Sequence, residues 1–115
     1  MSSRNAPYDV LSPVHGRIEV KTRVEGTDGD NPRVSLKEAK FETADHFMAV
    51  RWTRDAELSL ALMLPAASVK PLHLARRQRT GLAHIAWREF IAAPGPIDFT
   101  AQFAAVLASP GYALR

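Results

Sequence analysis

The sequence predicts an α/β fold: a mixed, mostly antiparallel central sheet with flanking helices. Three observations lead there. Two strand-like segments near the N-terminus are joined by a turn carrying Pro13 and Gly16. Two apolar strand patterns follow between residues 47 and 64, and the last third holds apolar residues at helical spacing.

The elements follow in chain order. Tyr8-Asp9-Val10-Leu11 reads as a short strand and Arg17 to Val24 as a longer one. The second alternates strictly, with Ile18, Val20, Thr22 and Val24 on one face and Arg17, Glu19, Lys21 and Arg23 on the other. With Ser12 to Gly16 as the turn, the pair forms an antiparallel hairpin. Glu25 to Pro32 is dense in turn formers and reads as a surface loop; its Asp28 and Asp30 lack the spacing and closing Glu of a calcium loop. Ser35 and Glu38 have the spacing of a capping box, which predicts a short helix to about Ala44. Phe47 to Thr53 reads as a strand, Arg54-Asp55-Ala56 as a turn, and Glu57 to Leu64 as a strand apolar on both faces that Pro65 ends. Leu82 to Ala93 and Phe99 to Ala108 read as helices, separated by Pro94-Gly95-Pro96.

A chain of 115 residues has room for one domain over 1–115, with a sheet core over 7–65 and a helical part over 66–115. No cysteine is present, which excludes a disulfide scaffold, a cysteine nucleophile and thiolate metal sites, and fits a cytoplasmic protein. No apolar run approaches the ~18 residues of a membrane span, so no membrane partner is expected. The net charge of +3 permits a nucleic-acid partner without requiring one. There is no Gly-rich phosphate loop and no nucleophile elbow.

Glu19-Val20-Lys21 carries the chemistry. Residues two apart on a strand point the same way, roughly 6.5–7 Å apart, so a carboxylate and an ammonium share one face. A turn centred on Val14 sets Asp9 opposite Glu19. Two carboxylates facing across a ladder repel, and a divalent cation between them offsets that cost; hard oxygen ligands suit Mg²⁺ or Mn²⁺. Lys21 then serves to orient water or to stabilise an attacked phosphoryl group. Six Glu and four Lys in 115 residues give about 0.2 such triplets by chance, and two occur. The second, Glu38-Ala39-Lys40, falls on the expected helix, where the two side chains diverge. The alternative use of Glu19 and Lys21 is a solvent-facing strand whose charges pair with Arg17 and Arg23.

Pro7-Tyr8-Asp9-Val10-Leu11, a turn, and Arg17-Ile18-Glu19-Val20-Lys21 together resemble the core of the PD-(D/E)xK, or restriction-endonuclease-like, nuclease superfamily. The likeness covers residues 7 to 65. It implies a mixed sheet flanked by helices, with Asp9 and Glu19 as metal ligands, a backbone carbonyl from Val20 as a third ligand, and Lys21 as the catalytic lysine. It also implies Mg²⁺ or Mn²⁺ as cofactor and DNA as substrate. A helix usually precedes the Asp strand in that superfamily, whereas eight residues precede Asp9 here. A fragment, a trimmed variant, or a homo-oligomer or larger assembly supplying the helix would account for the difference.

Arg76, Arg77 and Arg79, with Lys70, His73 and Arg88 nearby, form a basic stretch suited to phosphate contact, or equally to a solvated helix face. Trp52 and Trp87 are expected in the core. The four histidines show no zinc spacing, and His15 lies in the turn beside the Glu19 triplet. The expected function is metal-dependent hydrolysis of DNA phosphodiester bonds by an endonuclease. The alternative is a non-catalytic DNA- or protein-binding module that keeps the sheet.

Overall fold

The structure, a computed structural model, describes residues 9–26 and 32–107. Pro7 and Tyr8 of the first expected strand and its motif, Asp28 and Asp30 of the expected loop, and Ala108 at the end of the last expected helix lie outside them. β1 (Val10–Ser12) and β2 (Gly16–Val24) form the expected antiparallel hairpin, paired from Val10 with Ile18 to Ser12 with Gly16. β3 (Arg33–Lys37) and α1 (Lys40–Thr43) then carry the chain across one face of the sheet. β4 (His46–Trp52) returns beside β2 in parallel, and β5 (Leu58–Pro65) pairs antiparallel with β4. α2 (Ala66–Arg76), β6 (Leu82–Ala86), α3 (Trp87–Ile91), β7 (Ile97–Asp98) and α4 (Thr100–Leu107) complete the described chain.

The result is a mixed α/β fold with a mostly antiparallel five-stranded sheet, ordered β1-β2-β4-β5-β7, and a separate antiparallel ribbon of β3 and β6. Antiparallel strands can be joined by tight turns, but the parallel β2–β4 pair requires the crossover that β3 and α1 supply. Among the described residues no helix is long and apolar enough to cross a membrane.

Strand alternation gives the sheet two unlike faces. Phe47, Ala49 and Leu64 point into the larger core, closed by Val34 and Leu36 of β3, Val69 of α2, Ala83 and Ile85 of β6, and Trp87 and Phe90 of α3. Ile18, Met48, Val50, Ala61 and Met63 point the other way, against Phe99. Phe47 is fully buried between the rings of Phe41 and Phe90, with centroids 5.3 and 6.4 Å away. Such a ring is worth ~3–5 kcal/mol against truncation to alanine.

Two sequence expectations are corrected. Ser35 and Glu38 cap no helix: residues 33–37 are a strand, because Val34 and Leu36 alternate into the core and pair with Ile85 and Ala83. The Ser35 hydroxyl instead bonds to Nδ1 of His84 at 2.8 Å. Residues 82–86 are a strand rather than the first turns of a helix, since Ala83 and Ile85 are buried while their neighbours are not; only 87–91 is helical. Within the helical part expected over 66–115, residues 66–76 form a helix whose bounds the sequence does not mark. It carries Pro71 within it, normally a breaker, and Pro65 serves as its N-cap.

Candidate functional site

The β1–β2 hairpin and α1 bring the candidate residues together. The Asp9 N–H donates to the Ile18 carbonyl at 3.0 Å, and the Asp9 carboxylate accepts the Val20 N–H at 2.7 Å. Asp9 is exposed, one step beyond the last β1–β2 pair. Its side chain thus takes the place of a ladder partner at the point where β1 stops. The strand backbone alternates: the Arg17 carbonyl faces β4, where it accepts the Asp45 N–H at 2.8 Å, while that of Ile18 faces β1. By the same alternation both backbone polar groups of Val20 face the β1 edge, on the side that holds the Asp9 carboxylate.

Glu19 points from β2 toward the rim of the larger core, beside Phe47 in the parallel register. Its side chain is only 8 % exposed. Oε2 lies 3.5 Å from Nζ of Lys21, and Oε1 lies 3.3 Å from Nζ of Lys40 at the start of α1. The two lysines are 26 % and 30 % exposed. Oε1 is buried and accepts no hydrogen bond, so its attraction to Lys40 is one of charge alone. Burying a carboxylate at this depth requires nearby positive charge, and two ammonium groups supply it.

Sequence reasoning missed Lys40. It belongs to the Glu38-Ala39-Lys40 triplet set aside as helical, and nothing in the local pattern reveals that the β3 crossover carries it over β2.

The hairpin is fixed to β4 beside the site. Asp45 accepts the backbone N–H of Arg17 at 2.8 Å and its Nε and Nη2 at 3.2 and 3.1 Å. The guanidinium hydrogen bonds first, then the backbone bond, hold the Asp45 carboxyl at about 2, well below the ordinary 3.8. Gly16 precedes this clamp with φ +79°, and a Cβ there would fall 2.3 Å from the Asp45 oxygen. His46 Nδ1 bonds to the His15 carbonyl at 2.8 Å, and the two rings meet edge to face.

The basic stretch is largely engaged within the chain. Nη2 of Arg76 donates to both Glu89 oxygens at 3.0 Å, and Arg77 grips both Glu38 oxygens at 2.6 and 3.1 Å. Those hydrogen bonds from Arg77 hold the Glu38 carboxyl below its ordinary range. Arg79 is exposed and makes no ion pair among the described residues. Trp87 is buried in the larger core, and Trp52 is half-buried against the smaller one.

Among the described residues no group of three or more His, Cys, Asp or Glu is placed to hold a metal ion. A site here would draw on two carboxylates and a backbone carbonyl. No protein-family model and no curated protein matches the chain.

Proposed function

We propose that this chain is a metal-dependent endonuclease that hydrolyses DNA phosphodiester bonds, of the restriction-endonuclease-like kind. The observation that supports the reading most is the pairing of Asp9 with the Glu19-Val20-Lys21 triplet: the acid just before one strand sits on the backbone amide at the centre of the other strand's motif. The donor set suits a hard cation. Glu19 keeps a buried oxygen with no hydrogen bond, Asp9 is exposed, and the Val20 carbonyl faces the same edge.

Asp9, Glu19 and the Val20 carbonyl would hold Mg²⁺ or Mn²⁺. When bound, such an ion stabilises charge on an attacked phosphate and lowers the pKa of a bound water. The side chains do the rest. Two carboxylates and two lysines balance to zero charge, so a dication makes the site net positive and attractive to a phosphodiester. Lys21 stands beside Glu19 at 3.5 Å, where its ammonium can meet negative charge developing on phosphate oxygens. Lys40 positions Glu19 from the opposite side.

A second reading, a non-catalytic binding module, has its own support. Both Glu19 oxygens already face ammonium groups, and Leu11 and Val14 at the hairpin tip are 63 % and 82 % exposed, as suits assembly. Metal separates the two readings. The test is incubation of the chain with plasmid and single-stranded DNA in Mn²⁺, Mg²⁺ or EDTA, beside Lys21→Ala. Metal-dependent cutting lost in the variant is the expected result. No cutting and no Mn²⁺ binding would refute it in favour of the module.

A further inference from the structure

The β3–β6 ribbon turns Val34, Leu36, Ala83 and Ile85 inward, so alternation sends Arg33, Ser35, Lys37 and His84 to its outer face. The end of α2 and the start of α3 flank that face and enclose a cleft of about 390 Å³. Arg33, Arg76, Gln78, His84, Arg88 and Glu89 line it. Three guanidinium groups thus meet one carboxylate, and that carboxylate is taken by Nη2 of Arg76. Arg33 and Arg88 are exposed and make no ion pair among the described residues, and the same holds for Lys37 and Arg79 beside the ribbon.

Clustered like charges repel, and a polyanion relieves the repulsion while releasing its own counterions. Planar guanidinium forks match phosphate oxygens. His84 adds to this: when the Ser35 hydroxyl donates to Nδ1, the ring proton sits on Nε2 and can be given to an anion. Among the described residues no Phe, Tyr or Trp lines the cleft to stack an unpaired base, and the one ring there, His84, is held by Ser35, so the surface fits a duplex backbone better than a single strand.

We propose that the outer face of the β3–β6 ribbon binds the phosphate backbone of duplex DNA, with Arg33 and Arg88 making the contacts. Arg76, the last residue of α2, lines the same cleft and is braced by Glu89. The choice of DNA rests on the function proposed above, whereas the cleft itself draws on residues apart from Asp9, Glu19 and Lys21. It also moves phosphate contact away from Arg77, whose guanidinium Glu38 holds.

The test is binding of a labelled duplex by the full chain in EDTA, over a range of salt, with and without Arg33→Ala/Arg88→Ala. The comparison is Arg54→Glu, an equal charge change at the exposed β4–β5 turn. The Arg33/Arg88 variant should bind at least tenfold more weakly, with the log–log salt slope smaller by about 2, near 0.9 per lost phosphate contact. Arg54→Glu should stay within about twofold of the wild type, and both variants should melt as the wild type does. Equal weakening in both variants would overturn the proposal, because net charge alone would then explain it. So would absence of duplex binding by the wild type, or binding to phosphatidylserine vesicles but not to duplex. A duplex bound through this face yet never cut in Mn²⁺ would refute the endonuclease and leave this surface standing; cutting unaffected by Arg33 and Arg88 would do the reverse.

Discussion

Replacing Glu19 by glutamine removes one negative charge from between two ammonium groups at 3.3 and 3.5 Å. Breaking a fully buried ion pair costs ~3–5 kcal/mol, whereas an exposed pair is worth ~0.2–1 kcal/mol. Glu19 is 8 % exposed, but Lys21 and Lys40 at 26 % and 30 % can turn partly to water, so this case lies between the limits. We expect a loss of about 1–2 kcal/mol, or roughly 4–8 °C in Tm for a chain of this size. Melting in EDTA reads this first effect. A second reading comes from Mn²⁺, which at a hundredfold excess over its Kd stabilises a binding-competent fold by about 2.7 kcal/mol. The wild type should gain that increment and Glu19→Gln should not. A variant as stable as the wild type in EDTA would refute the charge argument. One that gains the same increment in Mn²⁺ would remove Glu19 from the proposed metal site.

The hairpin clamp yields two more predictions. Asp45 has a folded pKa of about 2 against an ordinary 3.8, so its contribution is full above the higher value and is lost as the pH falls through the lower one. Asp45→Asn should therefore flatten the fall in Tm between about pH 4 and pH 2, leaving the parts due to Glu38 and Asp98, whose carboxyls are also held down; an unchanged acid profile would refute the assignment. Gly16→Ala forces an L side chain into φ +79° and onto the Asp45 carboxylate, and should cost about 1–3 kcal/mol in chemical denaturation; a neutral result would mean that Arg17 and Asp45 do not hold the hairpin.

Much of the sheet was legible because period-two alternation is a direct consequence of strand geometry. β2 advertises itself through Ile18, Val20 and Thr22 against Glu19, Lys21 and Arg23, and the hairpin register follows from a turn centred on Val14. β4 and β5 were legible for the same reason. β3 was not, because Ser35 and Glu38 imitate a cap while Val34 and Leu36 carry the true period over only five residues. Propensity alone does not settle so short a segment; packing against Ala83 and Ile85 does. α2 hid behind Pro71. At the site, Asp9, Glu19 and Lys21 could be grouped because one hairpin joins them. Lys40 could not, since its place beside Glu19 depends on a crossover that no local pattern encodes.

The parallel seam between β2 and β4 has a dynamic consequence. Asp9, Glu19 and Lys21 ride on the hairpin as one unit, while Lys40 belongs to α1, where the Phe41 ring packs at a tilt against Phe47 of β4. An opening of the seam would carry three of the four charged groups away together and leave the fourth behind. The seam is pinned at both ends: by the Arg17–Asp45 clamp at one, and at the other by Glu25, whose N–H meets the Trp52 carbonyl and whose carboxylate meets Arg51. With fasteners at each end, the four groups stay assembled for as long as the seam is zipped.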